Sequence, residues 1–328
     1  MERKNLQNLF ENFKKHDLRA LSRLLTLVEN EDEIAPDVLK EIYKNSGRAY
    51  RIGITGPPGA GKSTLVNALA LELKERKISI GIIAVDPTSP FTGGALLGDR
   101  IRMTKALSGT NIFMRSMASR GGGGGLARTT PQAADVMDAF GFDVVIIETV
   151  GVGQLELDVA NSVDSTVVVL VPETGGSVQA MKAGLIEIAD VFVINKADRD
   201  GAETLKQELL DAMSLRSATS ENSWTPPVIK TIAPAAKGIS ELAAKLEMHL
   251  NFLKANKLLA RARLGRLRKR IIELTKLTLE RMLWENTDHA AFLDHLCGLC
   301  MEGKMDPYSA VELFLKRIKI IKTKDPEV

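Results

Sequence analysis

The chain has 328 residues, 45% of them hydrophobic, which is enough apolar material for one large domain with helical additions. Charged residues reach 26%, yet the formal net charge is only +3, which excludes a tail-driven nucleic-acid binder. Aromatics at 5% are too sparse for a base-stacking platform, and two cysteines are too few for a disulfide scaffold.

The start, MERKNLQNLFENFKKHD, is charged and amphipathic. It lacks the apolar core of a secretory signal and is too acidic for a mitochondrial transit peptide. No apolar run is long enough to span a bilayer. The expected location is therefore the cytoplasm, with neither membrane nor nucleic acid as a partner. Residues 1–46 read as helical, with Leu18, Leu21, Leu24 and Leu25 at helical spacing. Asn30-Glu31-Asp32 breaks that pattern, and Pro36 opens a second helix to about Asn45.

From Tyr50 the pattern alternates between strand and helix. Apolar, β-branched runs recur at Ile52–Thr55, Ile80–Val85, Ile112–Met114, Val144–Ile147, Val167–Val171, Val191–Ile194 and Val228–Ile229. Such runs separated by helices predict a mainly parallel sheet covered on both faces, with ligands beyond the carboxyl ends of the strands. Near Leu250 the character changes. Residues 251–284 read as a long helix with Leu264, Leu267, Ile271 and Leu274 on one face, and ten Lys or Arg against two Glu. Two shorter helices follow, at 288–301 and from Tyr308 to about Ile321. The expected division is 1–48, an N-terminal helical extension; 49–250, a nucleotide-binding domain; and 251–328, a C-terminal helical arm.

The stretch GPPGAGKST fills Gly56, Pro57, Pro58, Gly59, Ala60, Gly61, Lys62, Ser63 and Thr64. It is the phosphate-binding pattern G-x-x-x-x-G-K-[ST] between a strand and a helix. The glycines let backbone N–H groups wrap a phosphate at the positive end of a helix dipole. Lys62 would reach the β- and γ-phosphates, and the Ser63 hydroxyl would bind Mg²⁺. The fold class is thus α/β, a P-loop NTPase with N-terminal helices and a C-terminal helical arm.

Three more motifs follow strands. Asn195-Lys196-Ala197-Asp198 has the N-K-x-D form that reads guanine. Asp198 can accept from N1–H and the 2-amino group, a donor pair adenine lacks, so GTP and GDP are the expected nucleotides. Asn195 would brace the loop, and the Lys196 stem would cover the base. Glu148-Thr149-Val150-Gly151 stands where most GTPases carry D-x-x-G. Its acid would contact Mg²⁺, and the Gly151 N–H would meet the γ-phosphate. Asp86 and Asp99 are further oxygen donors for the Mg²⁺ water shell, or for the attacking water. Asp99 also fits as the cap of a helix over 100–107. Gln154 is another candidate for orienting water.

Other features stay open between function and structure. The run Gly121–Gly125, with Arg120 and Arg128 beside it, reads as a mobile switch or a surface loop. Cys297 and Cys300, near His289 and His295, have metal-ligand spacing, but at i and i+3 among Phe292, Leu293, Leu296 and Leu299 they read first as structural residues of a helix. The basic stretch 251–284 reads as an RNA- or membrane-facing surface, or as the solvated side of a long helix.

Together these motifs resemble the MeaB/ArgK family of P-loop GTPases. The similar stretches are GITGPPGAGKSTLVNAL (53–69), VDPTSPFTGGALLGDRIRM (85–103), FMRSMASRG (113–121), ETVGVGQLE (148–156), QAMKAGLIEIADVFVINKAD (179–198) and DPYSA (306–310), with DLRALSRLLTLVEN (17–30) ahead of them. The resemblance implies a chaperone for an adenosylcobalamin-dependent acyl-CoA mutase, chiefly methylmalonyl-CoA mutase, and a homodimer formed through the C-terminal arm. It implies Mg²⁺ at Ser63, Asp86, Asp99 and Glu148, and switches at 86–100, 148–156 and 172–182, the last containing Lys182. The chain departs from the family pattern at Ile232, where serine is common, leaving only a backbone contact from Ala233 to the base. It departs again at Gly176-Ser177, where some relatives have two acids, and at Leu155. Two alternatives accompany the resemblance: a metallochaperone using Cys297 and Cys300, and an ArgK-type kinase linked to basic amino-acid transport.

Overall fold

The computed structural model describes residues 3–86, 111–118, 129–149, 155–172, 183–214, 223–284 and 287–317. Three helices open the chain: α1 (Arg3–Lys14), α2 (Leu18–Glu29) and α3 (Ala35–Ile42). Asp17 caps α2, its carboxylate accepting from the Arg19 N–H at 2.6 Å and the Ala20 N–H at 3.2 Å. Leu21, Leu24, Leu25 and Val28 repeat at helical spacing and form its buried face. Pro36 lies in the first turn of α3, where a missing N–H costs nothing.

The central sheet alternates with helices in chain order: β1 (Tyr50–Thr55), α4 (Lys62–Glu75), β2 (Ile80–Asp86), β3 (Ile112–Ala118), α5 (Thr130–Phe140), β4 (Val144–Glu148), α6 (Leu155–Ala160), β5 (Ser165–Leu170), α7 (Ala183–Ile188), β6 (Val191–Ile194), α8 (Ala202–Ser214), β7 (Val228–Lys230) and α9 (Ile239–Ala255). Its seven strands are all parallel, in the order β3-β2-β4-β1-β5-β6-β7. Every strand read from the sequence is present. The two faces divide by the period of two. In β4, Val144 and Ile146 join the core built with α4 and α9, while Val145 and Ile147 join the core built with α2, α3 and α5. β1 obeys the same rule, with Ile52 and Ile54 on the first side. On the other side a Cβ at Gly53 would stand 2.8 Å from Val159, so glycine here lets the segment after α6's start press against the strand.

The helical stretch expected over 251–284 is interrupted. Asn251–Ala255 completes α9; Asn256 caps it, and Lys257 takes φ +58° before α10 (Leu258–Trp284) begins. No glycine or proline marks this turn, which is why apolar periodicity runs across it. The chain divides into two compact units, Met1–Arg263 and Leu264–Val328. In the second, the rest of α10 is followed by α11 (Thr287–Met301) and α12 (Pro307–Arg317). Leu296, Ala310 and Phe314 form its small core, with Cys300 packed against them and Cys297 exposed. Leu264, Leu267, Ile271 and Leu274 of α10 are all exposed, Leu264 by 68%.

A polar chain closes the base of the sheet, at the amino ends of its strands. The Tyr50 hydroxyl contacts Ser165 and donates to the Leu246 carbonyl at 3.1 Å. Ser165 Oγ lies 2.6 Å from His249 Nδ1, and His249 Nε2 lies 3.4 Å from Asp190 Oδ1. The Trp224 indole donates to the Asp190 carbonyl at 2.7 Å. Burial pushes Asp190 up from 3.8 to about 7 and His249 down from 6.5 to about 4. The raised Asp190 value contributes stability below pH 3.8 that is lost as pH rises through 7. The lowered His249 value acts oppositely, losing stability as pH falls from 6.5 through 4. Between about pH 4 and 6.5 the two contributions oppose each other in the native chain. His249→Leu removes one of them, so the urea midpoint of that variant should fall as pH rises from about 4 to about 7, with a slope approaching one proton. A pH dependence between about 4 and 7 identical to that of the native chain would contradict this account.

Candidate functional site

The motif-bearing strands β1, β2, β4 and β6 all end on the same edge of the parallel sheet, where ligands of such sheets bind. β1 runs into the loop Gly56–Gly61, and α4 opens at Lys62. Three loop glycines have left-handed backbone, Gly56 at φ +141°, Gly59 at +75° and Gly61 at +81°. Gly56 has a second constraint, because a Cβ there would lie 2.1 Å from the Val169 carbonyl oxygen of β5. The first turn of α4 holds no acidic side chain of its own, so its N–H groups suit an anion. Lys62 is buried, and its ammonium donates to the carbonyls of Gly56 at 2.8 Å and Pro57 at 2.9 Å. Those bonds hold a cation inside the loop it would use on phosphate.

Ser63, one position further on, donates its hydroxyl to Glu148 Oε1. Glu148 reaches it because β4 lies beside β1, with Ile54 opposite Glu148. The strand also pairs with β2, placing Ala84 opposite Glu148 and Asp86 at the tip of the next strand. Ser63 and Glu148 thus converge as two hard oxygen donors. Asp99, Gly151, Gln154, Arg120, Arg128, Lys182, the helix expected over 100–107 and most of the three switch stretches lie outside the described residues.

Asn195 follows β6 and is 2% exposed. Its Nδ2 donates to the Ala60 carbonyl at 2.9 Å, and its Oδ1 accepts from Thr231 Oγ1 at 3.1 Å and the Ala233 N–H at 3.2 Å. One buried amide therefore ties the phosphate loop to the loop after β7. The Ala233 N–H, which the resemblance offers to the base, donates to Asn195 in this structure. Lys196 has φ +55°, and this turn brings Asp198 out to solvent. Sequence reasoning missed the part played by Thr231. It also missed a hydroxyl pair, Thr149 donating to Thr55 at 3.0 Å, both residues essentially fully buried. Thr55 precedes the phosphate loop and Thr149 fills a variable position of the Glu148–Gly151 motif, so no spacing rule marks either. Among the described residues no cluster of three His, Cys, Asp or Glu suits a metal, Cys297 and Cys300 included.

Comparison with known proteins agrees with this geometry. The family model described as methylmalonyl Co-A mutase-associated GTPase MeaB matches residues 21–288. A Pyrococcus abyssi chain named "Putative GTPase" is 46% identical over 314 residues, covering 95% of this chain and 97% of that one. The mouse methylmalonic aciduria type A homolog, mitochondrial, is 32% identical over 339 residues, covering 97% of this chain and 80% of that one. A solved LAO/AO transport system kinase superposes with a TM-score of 0.70 at 25% identity, covering 97% of this chain and 99% of that one. The glycine-rich loop before α4, the N-K-x-D turn after β6 and the acidic end of β4 lie on one sheet edge, and with the family model matching most of its length this chain is a GTPase of the MeaB family.

Proposed function

We propose that this chain is a Mg²⁺-dependent GTPase whose nucleotide state gates cofactor loading onto, or protection of, an adenosylcobalamin-dependent acyl-CoA mutase, with methylmalonyl-CoA mutase the first candidate. The nucleotide half of this reading rests on the Asn195 amide, which couples base reading to the phosphate loop. The mutase half rests on the family to which the chain belongs. The Ser63 hydroxyl and Glu148 carboxylate fit a hard divalent cation in chemistry and in mutual contact. When bound there with Asp86 and Asp99 contributing to its water shell, Mg²⁺ would neutralise charge on the β- and γ-phosphate oxygens.

Lys62 exchanges its two loop carbonyls for phosphate oxygens and spreads the charge that grows on them during transfer. The α4 N-terminus and the loop N–H groups fix the phosphates in line. Asp86, Asp99 or Gln154 orients the attacking water. Asp198 selects guanine, with Lys196 over the base. Asp198→Asn should lower the GTP-over-ATP preference in kcat/KM by at least about 100-fold, because Asn cannot accept from both guanine donors. An unchanged ratio would remove Asp198 from base reading.

The exposed apolar face of α10, carrying Leu264, Ile271 and Leu274, supports a homodimer formed by the arm 251–328. The division into a helical extension 1–48 and a GTPase domain 49–250 belongs to the same reading, as does a cytoplasmic setting; no described helix is long and apolar enough to cross a membrane. The test is adenosylcobalamin transfer to the cofactor-free mutase, followed by cobalamin absorbance. Transfer in the presence of this chain should differ between GTP and a non-hydrolysable analogue. Identical rates with both nucleotides would contradict gating.

A further inference from the structure

The hydroxyl pair Thr149–Thr55 joins the strand that enters the phosphate loop to the acidic strand end by a buried contact beyond the sheet ladder. Thr55 is the last residue of β1 and immediately precedes Gly56. Thr149 immediately follows Glu148, the last residue of β4. Its N–H donates to the Ile54 carbonyl at 3.1 Å, so β1–β4 pairing runs one residue past the end of β4. Its hydroxyl then donates to Thr55 Oγ1 at 3.0 Å. Thr149 is 1% exposed and Thr55 is fully buried. Both are β-branched and stiff about χ1, so the bond fixes two backbones and not merely two side-chain tips.

The effect falls on Glu148. Before it, Ile147 is held in the ladder opposite Gly53 and Ile83. After it, Thr149 is held by two hydrogen bonds to β1. The carboxylate between them meets the Ser63 hydroxyl, eight residues after Thr55 on the other arm of the loop. Glutamate has one more rotatable bond than the aspartate common at this position, and so needs a tighter backbone to present its oxygens in one place.

We propose that Thr149 is a positioning residue that, through Thr55, holds the Glu148 carboxylate in register with Ser63 and thereby sets the affinity of the nucleotide site for Mg²⁺. This rests on the reading that Ser63 and Glu148 hold the cation.

The test measures release of a fluorescent GDP analogue, and separately GTP turnover, as Mg²⁺ is titrated. Thr149→Val replaces the hydroxyl by a methyl group of similar size. It should raise the Mg²⁺ midpoint for nucleotide retention by about tenfold. Saturating Mg²⁺ should restore kcat. Thr149→Ser keeps the donor and should stay within about twofold of the native midpoint. The double variant Thr55→Val/Thr149→Val removes both polar partners, so it should regain any thermal stability lost by the single change while keeping the raised midpoint. It supplies the measurement if Thr149→Val alone does not fold. A native midpoint in the folded Val variants would overturn the proposal, since the pair would then serve stability only. If nucleotide retention and turnover by the unaltered chain ignore Mg²⁺ altogether, the cation reading fails instead, and the two failures are distinct.

Discussion

Lys62→Ala should lower GTP turnover by about 1000-fold or more while leaving the fold standing. Removing one preorganised charge-stabilising donor typically costs about 100- to 1000-fold in kcat, and Lys62 brings a full charge as well. The ammonium is buried at the first position of α4, in a region where water screens it poorly. Among its partners are the carbonyls of Gly56 and Pro57, which belong to the loop and not to the core. Their loss should therefore shift the thermal midpoint by only a few degrees. Nucleotide affinity should fall less than turnover, because the loop N–H groups and Asp198 remain. Steady-state phosphate release and nucleotide titration separate the two effects. Turnover within tenfold of the native chain would remove Lys62 from the transferred phosphate.

Gly56→Ala should have the second largest effect, on structure and binding together. The new Cβ would stand 2.1 Å from the Val169 carbonyl oxygen and 3.0 Å from its carbon. Both are backbone atoms in the buried strand β5, so no rotamer change relieves the overlap. The residue must also hold φ +141°, a region essentially reserved for glycine. A loss of about 3 kcal/mol is expected, with the loop pushed off β5 and nucleotide affinity reduced at least tenfold. Gly59→Ala is the internal control. It too has positive φ, at +75°, but a Cβ there meets nothing within 4 Å. It should cost only about 1–2 kcal/mol for the left-handed conformation. Equal losses at the two positions would mean that backbone conformation, and not contact with β5, sets the requirement for glycine.

The strands were legible because a sheet buried on both faces leaves continuous apolar, β-branched runs. The site was legible wherever a motif sits at a strand end: Gly56 to Ser63, Glu148 and Asn195 converge as their strand positions imply. What was not legible depends on tertiary geometry. Thr55 and Thr149 are 94 residues apart and look like ordinary strand-end threonines; only the β1–β4 register brings their hydroxyls together. Tyr50, Ser165, Asp190 and His249 come from four segments, and none has a motif around it. The turn at Asn256-Lys257 lacks glycine and proline, so local chemistry gave no warning of it. Ala233 shows a different limit. Its place after Thr231 was readable, but the commitment of its N–H to Asn195 depends on where the amide points.

The central claim is that the nucleotide bound against Lys62, Glu148 and Asn195 is read by a cobalamin mutase. The most direct measurement is calorimetric titration of that mutase with this chain, loaded either with a non-hydrolysable GTP analogue or with GDP, in Mg²⁺ buffer. The account predicts affinities that differ by at least about tenfold, a coupling of about 1.4 kcal/mol, and that Asn195→Ala reduces the difference. Equal affinity for the two loaded forms, or no binding by either, would contradict it.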